Sequence, residues 1–262
     1  MTTDDIVTTA HALADAARAA VLPFFRTDEL HSDNKDAAGF DPVTEADRAA
    51  ERTMRALLAE QRPDDSVLGE EFGSKAGTSG LTWVLDPIDG TRGFLSGTPT
   101  WGVLIAVTDA SGPIYGLIDQ PYIAERFEGG LGRAQLCGPQ GRRALATRPG
   151  RALSETILFT TFPELGTEDE RAAFQAVTGQ VRLTRYGMDC YAYALLACGQ
   201  IDLVIEAGLQ PYDILAPIAV IEAAGGIVTD WRGGPAHGGG RVLAAANMQQ
   251  HEAALEILSR VP

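Results

Sequence analysis

Trp83-Val84-Leu85-Asp86-Pro87-Ile88-Asp89-Gly90-Thr91 is a short apolar run that ends in two carboxylates and a tight turn. It reads as a strand closed by Asp-Pro and Asp-Gly turn residues. Two like charges at such close range repel strongly in a dry turn unless a cation lies between them. Hard oxygen donors of this kind suit Mg2+ or Ca2+ better than zinc. The backbone N–H groups around Gly90 and Thr91 offer donors to an anion. A cation site beside an anion site points to phosphate-ester chemistry. The same dipeptides also make ordinary turns, so this stretch alone leaves both readings open.

Two further acidic segments bear on the choice. Val67-Leu68-Gly69-Glu70-Glu71 sets carboxylates after an apolar pair, and Tyr212-Asp213-Ile214-Leu215-Ala216 puts an acid at the start of a helical pattern. Glu70 also reads as a solvated loop residue, and Asp213 also reads as a helix N-cap. The three segments make one site only if the fold brings them together, and spacing does not show that.

The 262 residues suffice for one large domain or two modest ones, and 45% hydrophobic residues with 29 Gly describe a globular, turn-rich chain. The net charge of −14 argues against nucleic acid as a partner, because no basic surplus exists to neutralise a phosphate backbone. For an acidic protein that handles a phosphate, bound divalent cations invert the local sign of the site. The cysteines (Cys137, Cys190 and Cys198) have no metal-ligand spacing. Cys190 and Cys198 lie in an apolar helical run and are expected to be buried thiols of a reducing cytoplasm. Asp4 and Asp5 open the chain where a basic leader would stand, and no run approaches the roughly 18 apolar residues of a membrane span. A soluble cytoplasmic protein with no membrane partner is the expectation. His11, His31, His237 and His251 are scattered and expected at the surface, while Trp101 and Trp231 read as core or rim.

Ile6–Phe25 reads as an amphipathic helix that ends near Pro23, and 26–40 as a polar loop or hairpin holding Asp33, Asn34, Lys35 and Gly39. Thr44-x-x-Asp47 starts a second helix through Leu58. Strand signals at 81–85, 101–108, 114–119 and 124–128 predict an antiparallel meander. Arg148-Pro149-Gly150-Arg151 divides an N-terminal half, 1–147, from a C-terminal half, 148–262. In the second half strands at 157–161, 182–185, 202–206, 227–229 and 242–246 alternate with helices near 168–177, 190–198, 214–224 and after Met248. Gly238-Gly239-Gly240 is a turn with no following helix, hence not a phosphate loop. The pattern predicts layered α/β structure.

From Asp41-Pro42-Val43-Thr44-Glu45-Ala46-Asp47 to the closing Ala-rich helix, these segments in this order resemble the inositol monophosphatase family of Mg2+-dependent phosphatases. Asp86 to Thr91, Tyr212-Asp213 and Ala223-Ala224-Gly225-Gly226 carry the likeness. Asp89-Gly90-Thr91-Arg92-Gly93-Phe94, Leu158-Phe159-Thr160-Thr161, the run from Arg182 to Tyr193, and Glu206 to Asp213 are most similar to its histidinol-phosphate phosphatase branch. Inositol phosphatases more often carry Thr-Asn after Asp-Gly-Thr, where Arg92-Gly93 stand here. That departure spares the metal site and puts an inositol substrate in doubt.

The resemblance implies an α/β sandwich of alternating α and β layers and two to three Mg2+ ions. One ion would be held by Glu70, Asp86 and the Ile88 carbonyl, a second by Asp86, Asp89 and Asp213, and a weaker third by Glu70 and water. Thr91 and Glu70 would orient a water, and Asp47 would accept the Thr91 hydroxyl proton. Gly90 and Thr91 N–H groups, with Asp213 and Arg185, would bind substrate. Asp189 and Glu206 would pair with the ammonium or imidazole of histidinol phosphate. Asp189 also reads as an N-cap. Tyr186, Tyr191 and Thr161 would line the pocket, and Arg92 would contact phosphate or an acid. The expected activity is hydrolysis of a small phosphate ester, histidinol phosphate, by a homodimer. Its rivals are an inositol, sugar or nucleotide phosphatase of the same family and, in another class, a non-catalytic binder of metal or phosphorylated ligand.

Overall fold

The computed structural model describes residues 3–27, 32–34 and 42–261. The first helix, α1 (Thr3–Val21), buries Ile6, Ala10, Leu13, Ala17 and Val21 on one face, with Asp4 and Asp5 in its first turn. Two short strands, β1 (Ser32–Asn34) and β2 (Pro42–Thr44), pair antiparallel, so part of the expected 26–40 loop is a hairpin. Lys35, Gly39, Asp41 and His31 lie outside the described residues. Helix α2 (Glu45–Gln61) opens with the capping box expected of Thr44 and Asp47.

An eight-stranded sheet follows. In chain order its strands are β3 (Ser66–Gly69), β4 (Gly73–Lys75), β5 (Thr82–Asp89), β6 (Gly102–Asp109), β7 (Gly112–Gln120), β8 (Glu125–Gly130), β9 (Arg133–Gly138) and β10 (Gly141–Ala144). Their spatial order is β10-β9-β8-β7-β6-β5-β3-β4. The meander from β5 to β8 matches the sequence reading. β9 and β10 escape it because only Leu136 of that polar hairpin is buried among its apolar positions. Between β5 and β6 sits the short helix α3 (Thr91–Ser96).

The second sheet contains β11 (Ile157–Thr160), β12 (Leu183–Tyr186), β13 (Leu203–Leu209), β14 (Ile227–Thr229) and β15 (Gly240–Ala245), in the order β12-β11-β13-β15-β14. Its helices are α4 (Glu168–Thr178), α5 (Asp189–Ala197), α6 (Pro211–Ala223) and α7 (Met248–Leu258). Alternation along the strands sets the layers. On β6, Val103, Ile105 and Val107 face α1 and α2, while Leu104 and Ala106 face α5 and α6. On β15, Val242 and Ala244 join that same middle core, while Leu243 and Ala245 face α4 and α7. Helices α5 and α6 therefore lie between two sheets. This is why α6 is apolar all round, with every residue from Ile214 to Ile221 buried.

Helix α6 approaches the strands most closely at two glycines. A Cβ on Gly116 of β7 would stand 2.3 Å from the Ala216 carbonyl oxygen, and one on Gly129 of β8 would stand 2.5 Å from the Val220 Cα. Backbone cannot yield as a flexible side chain can. Gly116→Ala is expected to destabilise the protein by about 3 kcal/mol in urea unfolding. A loss under about 1 kcal/mol would mean that α6 slides on the sheet.

Two expectations, one of exposure and one of burial, fail. His251 is buried at the base of α7, where its ring pairs with the Thr229 hydroxyl at 2.8 Å, and burial pushes its pKa down. Cys198 is half-buried beside Arg143, whereas Cys190 is buried as expected. Trp101 and Trp231 are both core residues.

Candidate active site

The parallel pairing of β3 with β5 brings two acidic segments to the same end of the sheet. Gly69 pairs with Leu85, and the Glu70 N–H donates to the Leu85 carbonyl at 3.2 Å, so Glu70 emerges beside Asp86. Glu51 of α2 braces this turn. Its buried carboxylate accepts the N–H groups of Glu71 at 2.6 Å and Phe72 at 3.2 Å.

Asp86 and Asp89 are three residues apart, and in a regular strand they would point to opposite faces. The β5–β6 register shifts between them: Asp86 pairs with Leu104 but Asp89 with Gly102. This bulge restores the parity and turns both carboxylates to the middle layer. There α6 delivers Asp213 from its first turn. One carboxylate oxygen from each of Asp86, Asp89 and Asp213 lies within 4.8 Å of the others. Asp213 is not the N-cap of α6: Gln210 holds that position, and Asp213, three residues on, accepts the Gln210 N–H at 2.7 Å within a capping box, which leaves its other oxygen to the cluster.

Burial pushes the Asp86 carboxyl far above the usual range, reinforced by Glu70, Asp89 and Asp213. Asp89 is raised by burial and then by Asp189 and Asp213, even though it accepts the Cys190 N–H at 2.6 Å. Such a cluster of desolvated carboxylates is a poor arrangement for a protein alone and a good one around a divalent cation. The oxygen-only donor set fits Mg2+.

The cluster opens into a cavity of about 640 Å³ that also receives Glu70, Gly90, Thr91, Arg92, Asp189 and Glu206. Gly90 takes the left-handed conformation at φ 84° and starts α3, and Asp189 lies so close above it that a Cβ on Gly90 would sit 2.7 Å from the Asp189 Cγ. Glu206 is buried and accepts the Thr161 N–H at 2.6 Å, the Thr161 hydroxyl at 2.9 Å and the Thr160 hydroxyl at 3.1 Å. Burial still lifts its pKa to about 7 against those bonds. At the rim the Arg92 guanidinium stacks on Phe162 at 4.7 Å and lowers Asp189 electrostatically, against the burial that raises it.

The chain matches the sequence profile of the inositol monophosphatase family over residues 3–262. It belongs to the inositol monophosphatase family. It is 43% identical to a bifunctional phosphatase, IMPL2, from the chloroplast of Arabidopsis thaliana, over 88% of this chain; it spans 65% of that relative's length. It is 35% identical to a histidinol-phosphatase of Mycobacterium tuberculosis, covering 100% of this chain and 99% of the relative. The structure of an inositol monophosphatase from Zymomonas mobilis superposes with a TM-score of 0.87 at 38% identity, over 99% of both chains. The layered α/β fold is therefore that of the family.

Other family-derived expectations differ from the geometry. The Thr91 hydroxyl donates to the Ile88 carbonyl at 3.1 Å, where Asp47 was the expected acceptor. Asp47 is engaged instead by the Thr44 N–H at 2.8 Å and the Thr44 hydroxyl, and burial lifts it to about 6. Asp189 is not the N-cap of α5: Met188 holds that position, and Asp189 follows with φ 46°, accepting the Thr100 hydroxyl at 3.1 Å. Arg185 and Tyr186 are exposed on the edge strand β12, outside the cavity lining; they point to opposite faces, and the sheet edge leaves both open to solvent. Tyr191 turns away to Glu125, at 2.7 Å. Thr161 does line the cavity.

The sequence reading missed Tyr193, Phe162 and Glu51. Tyr193 carried a signal, since it lies four residues after Asp189 and thus on the same helix face. Glu51 carried the same signal relative to Asp47.

Proposed function

We propose that this family phosphatase hydrolyses L-histidinol phosphate to L-histidinol and phosphate with Mg2+. The observation that carries the substrate is the pair Asp189 and Glu206, two carboxylates in the same cavity as the Asp86–Asp89–Asp213 cluster but outside it. Inositol phosphate offers only hydroxyls to such groups, whereas histidinol phosphate offers an ammonium and an imidazole. The full-length likeness to a histidinol-phosphatase supports the same reading.

Glu70, Asp86, the Ile88 carbonyl, Asp89 and Asp213 would hold the ions. Bound Mg2+ supplies charge neutralisation at the phosphate and Lewis acidity toward a water. The Gly90 and Thr91 N–H groups hold phosphate oxygens at the start of α3. Glu70 and the Thr91 hydroxyl orient the attacking water, and Glu70 takes its proton. Asp47 and Glu51 keep the surrounding backbone in place through Thr44, Glu71 and Phe72. Asp189 and Glu206 hold the leaving alcohol by its cationic end, in line with the water.

Phosphate release with Mg2+ is the test, on histidinol phosphate, inositol 1-phosphate, fructose 1,6-bisphosphate and phosphoadenosine phosphate. A preference of a hundredfold or more in kcat/KM for histidinol phosphate is expected, on the order of 2.7 kcal/mol. A flat profile, or a preference for inositol phosphate, would leave a phosphatase of another specificity.

A further inference from the structure

Tyr193 is buried at 4% exposure in the middle layer, yet it lines the cavity on the α5 face it shares with Asp189. Its hydroxyl has no hydrogen-bond partner among the described residues. Elsewhere in the protein a buried tyrosine is satisfied: the Tyr115 hydroxyl donates to Glu128 at 2.6 Å. Leaving a buried hydroxyl unpaired is costly, and a phenylalanine would fill the same space without that cost. A tyrosine serving only the core has no reason to carry the oxygen here.

The surroundings indicate what the oxygen meets. Glu206, Asp89 and Asp213 all act on the phenol electrostatically, Glu206 the most strongly of the three, and burial with these charges keeps it protonated. Glu206 receives three hydrogen bonds from Thr160 and Thr161, fewer than the roughly four its carboxylate can accept. Glu206 and Tyr193 together thus leave hydrogen-bonding capacity unused in residues that line the same cavity.

We propose that the Tyr193 hydroxyl is a substrate-binding group that, with the Glu206 carboxylate, grips the polar group on the alcohol half of the phosphate ester. The proposal rests on the phosphatase reading above and extends it to a residue that decides which leaving alcohol is accepted. An amine or hydroxyl of that alcohol donates to Glu206 and shares a hydrogen bond with Tyr193. A site built to pair such a group discriminates sharply against esters that lack it, because its own polar atoms would then stay unpaired.

The test compares wild type with Tyr193→Phe in three measurements: Tm without ligand, kinetics on the best natural ester and on p-nitrophenyl phosphate, and calorimetric binding of L-histidinol with inorganic phosphate present. The expected result is a loss of about tenfold to a hundredfold in kcat/KM on the best ester, at least fivefold greater than on p-nitrophenyl phosphate. Histidinol binding weakens in parallel, and Tm stays level or rises by about 2–4 °C, because the unpaired hydroxyl is gone. A lowered Tm with equal losses on all esters would make the hydroxyl structural and overturn the proposal. Equal losses at unchanged Tm would place it at the phosphoryl end and also overturn it. If wild type prefers another ester to histidinol phosphate, the substrate assignment fails, but a selective Tyr193→Phe loss on that ester sustains the role of Tyr193. If histidinol phosphate is preferred and the losses are equal, the substrate assignment stands and Tyr193 drops out.

Discussion

Asp86→Asn is expected to lower Mg2+-supported phosphate release by about a thousandfold or more, on the order of 4 kcal/mol of activation free energy. The same change is expected to raise Tm when EDTA has removed divalent ions. Both effects have one cause. Asp86 is buried, and Glu70, Asp89 and Asp213 surround it with like charge. Its carboxyl is raised well above the 3.8 of an ordinary aspartate, so the folded state binds its proton more tightly than the unfolded state does. Such a group favours folding below the unfolded pKa, and that advantage is lost as pH rises through the folded pKa. As pH rises without Mg2+, wild type therefore loses stability through repulsion or the cost of holding the proton, and the amide relieves both. The Asn carbonyl can still accept the Ile88 N–H that Asp86 accepts at 3.1 Å, so the turn survives. Thermal melts in EDTA at pH 5 and pH 8, then with Mg2+, make the comparison. The gain should be larger at pH 8, and Mg2+ should stabilise wild type far more than the variant. A variant that keeps a tenth of the activity, or melts lower in EDTA, would refute a cation site at Asp86.

Glu206→Gln is expected to lower kcat/KM for histidinol phosphate by about fiftyfold to a hundredfold, mainly through KM, with a much smaller loss on inositol 1-phosphate. The lost interaction is a charge-assisted hydrogen bond in a buried place, worth about 1.5–3 kcal/mol. The pH dependence gives a second signature. Burial holds Glu206 near 7, against the hydrogen bonds of Thr160 and Thr161. Only the ionised carboxylate pairs with a cation, so the wild-type KM for the cationic ester should fall as pH rises through about 7. The imidazole of the ester titrates in the same range, but equally for both proteins, so the difference between their profiles isolates Glu206. Stability runs the other way: the raised carboxyl favours folding below its unfolded 4.5, and this is lost as pH climbs through about 7. Equal losses on the two esters, or parallel pH profiles, would remove Glu206 from cation recognition.

Much of the architecture was legible because local chemistry and tertiary packing agree. The capping residues Thr44 and Asp47, the continuously apolar β6 and the all-apolar α6 each demand a particular surrounding, and each has it. The β9–β10 hairpin and β4 were illegible because edge pairing is a property of neighbours and leaves little pattern in a short polar strand. His251 misled for a similar reason: a histidine outside any motif reads as surface, and its Thr229 partner comes only from tertiary packing.

In the candidate site the division is sharper. The sequence by itself determined the inventory: Asp86, Asp89, Asp213 and Glu70 as oxygen donors, turn residues at Gly90 and Thr91, and an acidic chain that needs cations to handle phosphate. Tertiary structure alone decided convergence. The β5 bulge turned two aspartates to one face, the parallel β3–β5 pair set Glu70 beside them, and α6 brought Asp213 across the middle layer. It also released Arg185, Tyr186 and Tyr191 from the pocket and admitted Tyr193. Residue identity fixes what an atom can bind, whereas which atoms share a cavity depends on register, strand parity and burial, and these arise only between segments far apart in the chain.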